Sequence, residues 1–147
     1  MHLFLRAGFG SICLSSVLLT VSPSLAQTVP LKANLSSQSE VPPANSKATG
    51  TFTGSFDPST KTLTYTINYS GLSGEPTAAH FHGPAQAGEN AGVALPIGAP
   101  MSNPIKGSVT LTEAQARELM DGKWYVNVHT AANKAGELRG QVEKGGM

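Results

Sequence analysis

Apolar and polar residues alternate along several short segments of the chain, most clearly in residues 62–69. Leucine, tyrosine and isoleucine occupy every second position there, with threonine and asparagine between them. Because successive side chains of a β-strand point to opposite faces of a sheet, this period of two predicts a strand with one buried face. Residues 57–60 have turn-forming composition, and residues 49–56 precede them with two spaced phenylalanines. The two segments are therefore predicted to form a hairpin.

Similar patterns recur along the rest of the chain, separated by many of its 16 glycines and 10 prolines. Residues 40–45 contain two adjacent prolines, which cannot donate to a strand ladder, so an exposed turn is predicted there. Seven or eight short strands predict an all-β fold, an Ig-like Greek-key β-sandwich, with an up-and-down barrel as the alternative. The predicted strands span residues 31–38, 49–56, 62–69, 77–82, 93–97, 105–111, 123–130 and 136–142.

One short helix is predicted between the sixth and seventh strands. Thr112 and Gln115 have the spacing of a capping box, in which each side chain binds the backbone N–H of the other. Residues 114–120 are good helix formers, and Gly122 stands where a left-handed C-terminal cap belongs. Because the segment is short, its stability must come from packing against the strands.

The last two strands are predicted to pair as a hairpin whose register follows from their apolar faces. Matching those faces places Val128 opposite Leu138. On the other face, the same register places Asn127 opposite Arg139 and His129 opposite Glu137. The last of these pairs is of interest because a carboxylate can orient a histidine ring.

The first 26 residues have the composition of a secretory signal peptide. A mostly apolar stretch between Ala7 and Val21 follows Arg6, and small residues precede a predicted cleavage point after Ala26. An uncleaved membrane anchor is the alternative, although the apolar stretch is shorter than the roughly 20 residues that span a bilayer. The prediction is a single exported domain of residues 27–147, located in a periplasm or outside the cell.

The cysteine content argues against a disulfide-stabilised protein, and the charge argues against a nucleic-acid-binding protein. The single cysteine, Cys13, lies within the predicted signal peptide, so the exported chain has no disulfide and is stabilised by its core alone. The net charge is +1, and the basic residues are scattered along the chain. Because nucleic-acid binding requires a basic patch or stripe, no nucleic-acid partner is expected.

Four sequence blocks together resemble the signature of CHRD (chordin-type) domains. They are Ser-Glu-Val-Pro-Pro at 39–43, Ala-Ala-His-Phe-His-Gly-Pro-Ala at 78–85, Trp-Tyr-Val-Asn-Val-His-Thr at 124–130, and Gly-Glu-Leu-Arg-Gly-Gln-Val at 136–142. The resemblance covers nearly all of residues 31–142. It implies an extracytoplasmic domain, since the domain occurs in the extracellular antagonist chordin and in exported single-domain bacterial proteins, but it does not by itself settle the function. The chain has no cysteine-rich modules of the kind that bind growth factors in chordin, so that role is not expected.

All three histidines of residues 27–147 lie within these blocks. His80 and His82 are two positions apart in a predicted strand and therefore point the same way. If the last hairpin brings His129 alongside, three imidazoles form a set suited to Cu(II) or Zn(II), with copper favoured. Glu137 is predicted to orient the second ring nitrogen of His129. The alternative is that the histidines hydrogen-bond the loops and bind no metal.

The leading functional hypothesis is thus an exported binding domain with a histidine metal site. Neither a nucleophile elbow nor a phosphate-binding loop occurs in the sequence. One alternative is a copper-dependent oxidoreductase similar to superoxide dismutase, which an open copper site would permit. Another is a structural or adhesion module without metal, which would bind an extracytoplasmic protein through an edge strand or through the loop at 83–92.

Overall fold

The computed structural model describes residues 27–98 and 100–146. The predicted signal peptide, residues 1–26, lies outside this range. Within the described range, no helix is both long and apolar enough to cross a membrane.

The described residues form nine strands, one α-helix and one short 3-10 helix, Ser37–Ser39. The strands are β1 (Val29–Ser36), β2 (Thr49–Asp57), β3 (Thr62–Ser70), β4 (Pro76–His82), β5 (Val93–Pro96), β6 (Ile105–Thr110), β7 (Tyr125–Thr130), β8 (Leu138–Gln141) and β9 (Glu143–Lys144), and the helix is α1 (Glu113–Met120). Eight of these strands coincide closely with the predicted ones. The two-residue β9, which pairs with β1, was not predicted because it is too short to show a period.

The strands form one curled antiparallel sheet in the order β5-β4-β7-β8-β1-β2-β3-β6. Three neighbouring pairs, β4 with β7, β8 with β1 and β3 with β6, are not consecutive in the chain, which excludes an up-and-down order. The prediction of an all-β, sandwich-like fold is confirmed. The structure differs from the predicted two-sheet sandwich because its two layers belong to one continuous sheet. The layers are joined where Ser36 of β1 pairs with Arg139 of β8.

The core lies between the two halves of the curled sheet. Phe81 of β4 meets Phe52 of β2 and Tyr65 of β3 edge to face, with ring centroids 5.7 and 5.3 Å apart. On its own half, Phe81 also packs against Trp124, with ring centroids 5.8 Å apart. Because Phe81 is fully buried, the side chains on either side of it in β4, His80 and His82, must point away from this core.

The predicted helix caps are confirmed. Thr112 and Gln115 form the capping box at the start of α1, and Gly122 adopts a left-handed conformation just after its end, with φ of +70°. Ala116 and Leu119 are the buried residues of the helix and attach it to the core.

The prediction of an exposed turn at residues 40–45 was wrong at its first residue. Glu40 is only 7% exposed, whereas Val41 beside it is exposed. The chain leaves the sheet after Ser36, and the short 3-10 helix turns Glu40 inward beneath the strand hairpin β7–β8. Sequence pattern alone cannot show this, because a glutamate followed by two prolines has the composition of a surface loop.

Candidate metal centre

The three histidines lie on two neighbouring strands, β4 and β7. In the β4–β7 ladder His80 is directly opposite Asn127, and His82 is opposite Tyr125. Directly opposed residues of an antiparallel pair share a face, and so do residues two apart in one strand. His129 therefore lies on the same face as His80 and His82, on the side of the sheet away from the core.

The imidazoles converge at one point. His80 Nδ1 and His129 Nε2 are 3.0 Å apart, and one ring nitrogen from each of the three histidines lies within 4.8 Å of the others. At metal–nitrogen bond lengths of about 2.0–2.1 Å, two ligands of one ion are about 3 Å apart. The His80–His129 spacing has this value, and the third nitrogen, from His82, lies within 4.8 Å of the other two.

Backbone carbonyls fix the outer nitrogens of two of the rings. His129 Nδ1 lies 2.9 Å from the carbonyl oxygen of Lys134, and His82 Nδ1 lies 3.0 Å from that of Ala91. A carbonyl oxygen can only accept, so each Nδ1 carries the proton and each neutral ring has its lone pair on Nε2. His82 Nε2 is buried and has no hydrogen-bond partner. This arrangement is typical of metal-binding histidines, whose second ring nitrogen donates to a backbone carbonyl or a carboxylate.

The environment keeps two of the imidazoles neutral. Burial lowers the pKa of His80, and the neighbouring His129 and His82 lower it further. Burial also lowers the pKa of His129, against the opposing effect of its hydrogen bond to Lys134. Because a metal ion binds only the unprotonated nitrogen, a lowered pKa leaves these rings ready to coordinate at neutral pH. His129 is buried, while the side chains of His80 and His82 are partly exposed.

Sequence reasoning did not find the residues that support the histidines. Tyr125 stacks flat on His82, and the Arg139 guanidinium lies 3.5 Å from the centre of the Tyr125 ring. Asn127 places its Oδ1 2.9 Å from His129 Nε2. Their position in the sequence could have identified two of them, because Tyr125 and Asn127 share one strand face with His129.

The buried carboxyl of Glu40 lies behind Asn127. Burial raises the pKa of Glu40 to about 7, although the charge of Arg139 and the hydrogen bond from Asn127 oppose the shift. Its Oε1 atom is buried and has no hydrogen-bond partner. Arg139 does not form an ion pair with it and instead donates to Asn90 Oδ1 and to the carbonyl oxygen of Glu89.

The predicted role of Glu137 was wrong. Its carboxylate does not contact His129, whose ring nitrogens bind Lys134, Asn127 and His80 instead. Glu137 is fully buried and accepts hydrogen bonds from Ser46, Ser73 and Thr130, which belong to three different segments of the chain. Strand β8 begins only at Leu138, so Glu137 is free to turn toward the loops. The rest of the predicted register, Val128 with Leu138 and Asn127 with Arg139, is confirmed.

These features define a small all-β domain that carries a solvent-facing histidine cluster able to hold a metal ion on the outer side of its sheet. The family model of the CHRD domain matches residues 31–142, and the chain belongs to this family. The family resemblance identified from the sequence blocks is thereby confirmed. Searches of the curated proteins and of the solved structures gave no match.

Proposed function

We propose that this CHRD domain is an exported metal-binding protein that holds one copper ion through His80, His82 and His129. The observation that carries the proposal is the buried, unpartnered Nε2 of His82 in a cluster whose three ligand nitrogens lie within 4.8 Å of one another. Backbone carbonyls orient the rings of His82 and His129. An unpaired buried polar atom costs free energy, and a bound cation would remove that cost.

Copper is favoured over zinc by its higher affinity for nitrogen ligands and by the predicted compartment. Imidazole suits both ions, but divalent copper has the higher affinity for a given nitrogen site. The predicted signal peptide would deliver the domain to an extracytoplasmic space. There, the higher affinity of imidazole ligands for copper would decide which ion the site takes up. Zinc is the competing occupant that the experiment must include.

The test is copper titration of the full-length protein after expression and purification, with elemental analysis of the protein as isolated. We expect about one equivalent of Cu(II) and a Kd well below micromolar, with each of His80→Gln, His82→Gln and His129→Gln weakening binding by at least about tenfold. Asn68→Gln is the matched control, because Asn68 is exposed on β3 in the other half of the sheet. Micromolar or weaker binding that none of the histidine substitutions changes would overturn the proposal and favour a structural or adhesion module.

A copper-dependent oxidoreductase is the second candidate, favoured by the partial exposure of His80 and His82. An ion held there would be accessible to a small anion such as superoxide from the solvent side. The assay compares superoxide loss with copper-loaded protein and with an equal amount of free copper. Activity no greater than that of free copper leaves copper storage or delivery as the function.

A further inference from the structure

Asn127 brings an oxygen atom into the histidine cluster. Its Oδ1 lies 2.9 Å from His129 Nε2, and the same nitrogen lies 3.0 Å from His80 Nδ1. Asn127 is also the direct cross-strand partner of His80. The amide oxygen therefore faces the same point as the two imidazole nitrogens, at the spacing expected for neighbouring ligands of one ion.

The contact between His129 Nε2 and Asn127 Oδ1 contains no proton when the His129 ring is neutral. Nδ1 of His129 donates to the carbonyl oxygen of Lys134, so the neutral ring has a lone pair on Nε2. Asn127 Oδ1 also offers only lone pairs, and two acceptors 2.9 Å apart repel each other. A metal ion shared by the nitrogen and the oxygen would remove this repulsion.

The orientation of the Asn127 amide is fixed from behind by Glu40. The amide nitrogen of Asn127 borders the same space beside Gly136 as the Glu40 carboxyl, so this nitrogen lies on the Glu40 side and the amide oxygen faces the histidines. Glu40 is 7% exposed and is held close by Gly136, where a β-carbon would collide with both Glu40 and Asn127. A buried carboxyl costs free energy unless it is hydrogen-bonded, and the Oε1 atom of Glu40 has no hydrogen-bond partner.

We propose that Asn127 is a fourth ligand of the ion, bound through Oδ1, and that Glu40 is the positioning residue that presents this oxygen. The inference rests on the proposed metal-binding function and extends it to a three-nitrogen, one-oxygen set. An amide oxygen is a harder ligand than a thioether or thiolate, so the set favours a divalent ion, Cu(II), over Cu(I).

The experiment compares Cu(II) binding and the electron paramagnetic resonance spectrum of wild type with three variants of the full-length protein. Asn127→Leu keeps the size of the side chain and removes the oxygen. The double variant Glu40→Gln with Asn127→Asp exchanges the amide and the acid, so that the amide introduced at position 40 donates to a carboxylate at position 127 that still offers oxygen to the ion. Asn68→Leu, on an exposed position of β3, is the control. Circular dichroism and thermal unfolding establish that each variant is folded.

We expect Asn127→Leu to weaken Cu(II) binding by at least about tenfold and to change the spectrum of the bound ion, with Asn68→Leu unchanged. The exchanged pair should recover wild-type affinity or exceed it, because its oxygen ligand is charged. Folded Asn127→Leu protein with wild-type affinity and an identical spectrum would overturn this inference alone. Wild-type protein that binds no ion would overturn the proposed function and this inference together.

Discussion

The imidazole of His82 lies parallel to the phenol ring of Tyr125, with an angle of 2° between the planes and 4.8 Å between the ring centroids. The guanidinium of Arg139 covers the Tyr125 ring at 3.5 Å. Because the Nδ1 of His82 is also held by the carbonyl oxygen of Ala91, both the plane and the direction of the imidazole are fixed. Tyr125 is 3% exposed, so this stack is a rigid part of the fold rather than a surface contact.

Replacing the ring of Tyr125 should therefore weaken metal binding. We expect Tyr125→Leu to lower Cu(II) affinity by about tenfold, because His82 gains rotational freedom, while Tyr125→Phe, which keeps the stack but loses the hydrogen bonds of the hydroxyl with Ala91, lowers it less. Titration with Cu(II) measures both. Tyr69→Leu, on β3, is the control for loss of a tyrosine elsewhere in the sheet. Equal affinities for Tyr125→Leu and wild type would show that the stack does not orient the ligand.

Glu137 should contribute strongly to stability, since its buried carboxylate accepts hydrogen bonds from Ser46, Ser73 and Thr130 at 2.6–2.8 Å. Glu137→Gln replaces one accepting oxygen by a donor and removes the charge that strengthens these bonds. We expect the free energy of unfolding to fall by roughly 2–3 kcal/mol in urea denaturation. Glu113→Gln, at an exposed helix position, should change it by less than about 0.5 kcal/mol. Similar losses for the two variants would contradict the role assigned to Glu137.

The same residue predicts a loss of stability in acid. Burial acts to raise the pKa of Glu137, but the hydrogen bonds from Thr130, Ser73 and Ser46 outweigh it and lower the pKa to about 2, from an ordinary value of 4.5. The folded state binds the proton less readily than the unfolded state, so this contribution is complete above pH 4.5 and is lost as the pH falls toward 2. The stability difference between wild type and Glu137→Gln should shrink over this interval. A difference that does not change with pH would contradict the assignment.

Gly136 is predicted to be difficult to replace. Its φ is +138°, and a β-carbon there would collide with the Glu40 carboxyl and with Asn127 Nδ2. Gly136→Ala should lower stability by about 1–3 kcal/mol from backbone strain, and by more if Glu40 cannot move. Gly74→Ala is the matched control, because a β-carbon at Gly74 would contact nothing within 4 Å. Thermal unfolding of the two variants measures the difference, and equal midpoints would contradict the prediction.

Several features could be predicted because they depend on neighbours in sequence. The strands followed from alternation, and the helix caps at Thr112 and Gly122 followed from local spacing. The register of Val128 with Leu138 followed from matching two apolar faces across a short connection. The common direction of His80 and His82 followed from the period of two along a strand.

Local periodicity and the order of motifs were thus sufficient for the strands, the register of the last hairpin and the family. They could not show which strand lies beside β4, since that pairing depends on how the whole sheet curls around its core. The folded chain alone places His129 against His80, 49 residues away, and joins Glu137 to Ser46 across 91 residues. It also turns Glu40 inward behind Asn127. Contacts of this kind are decided by packing and by the satisfaction of buried polar groups, which no local pattern encodes.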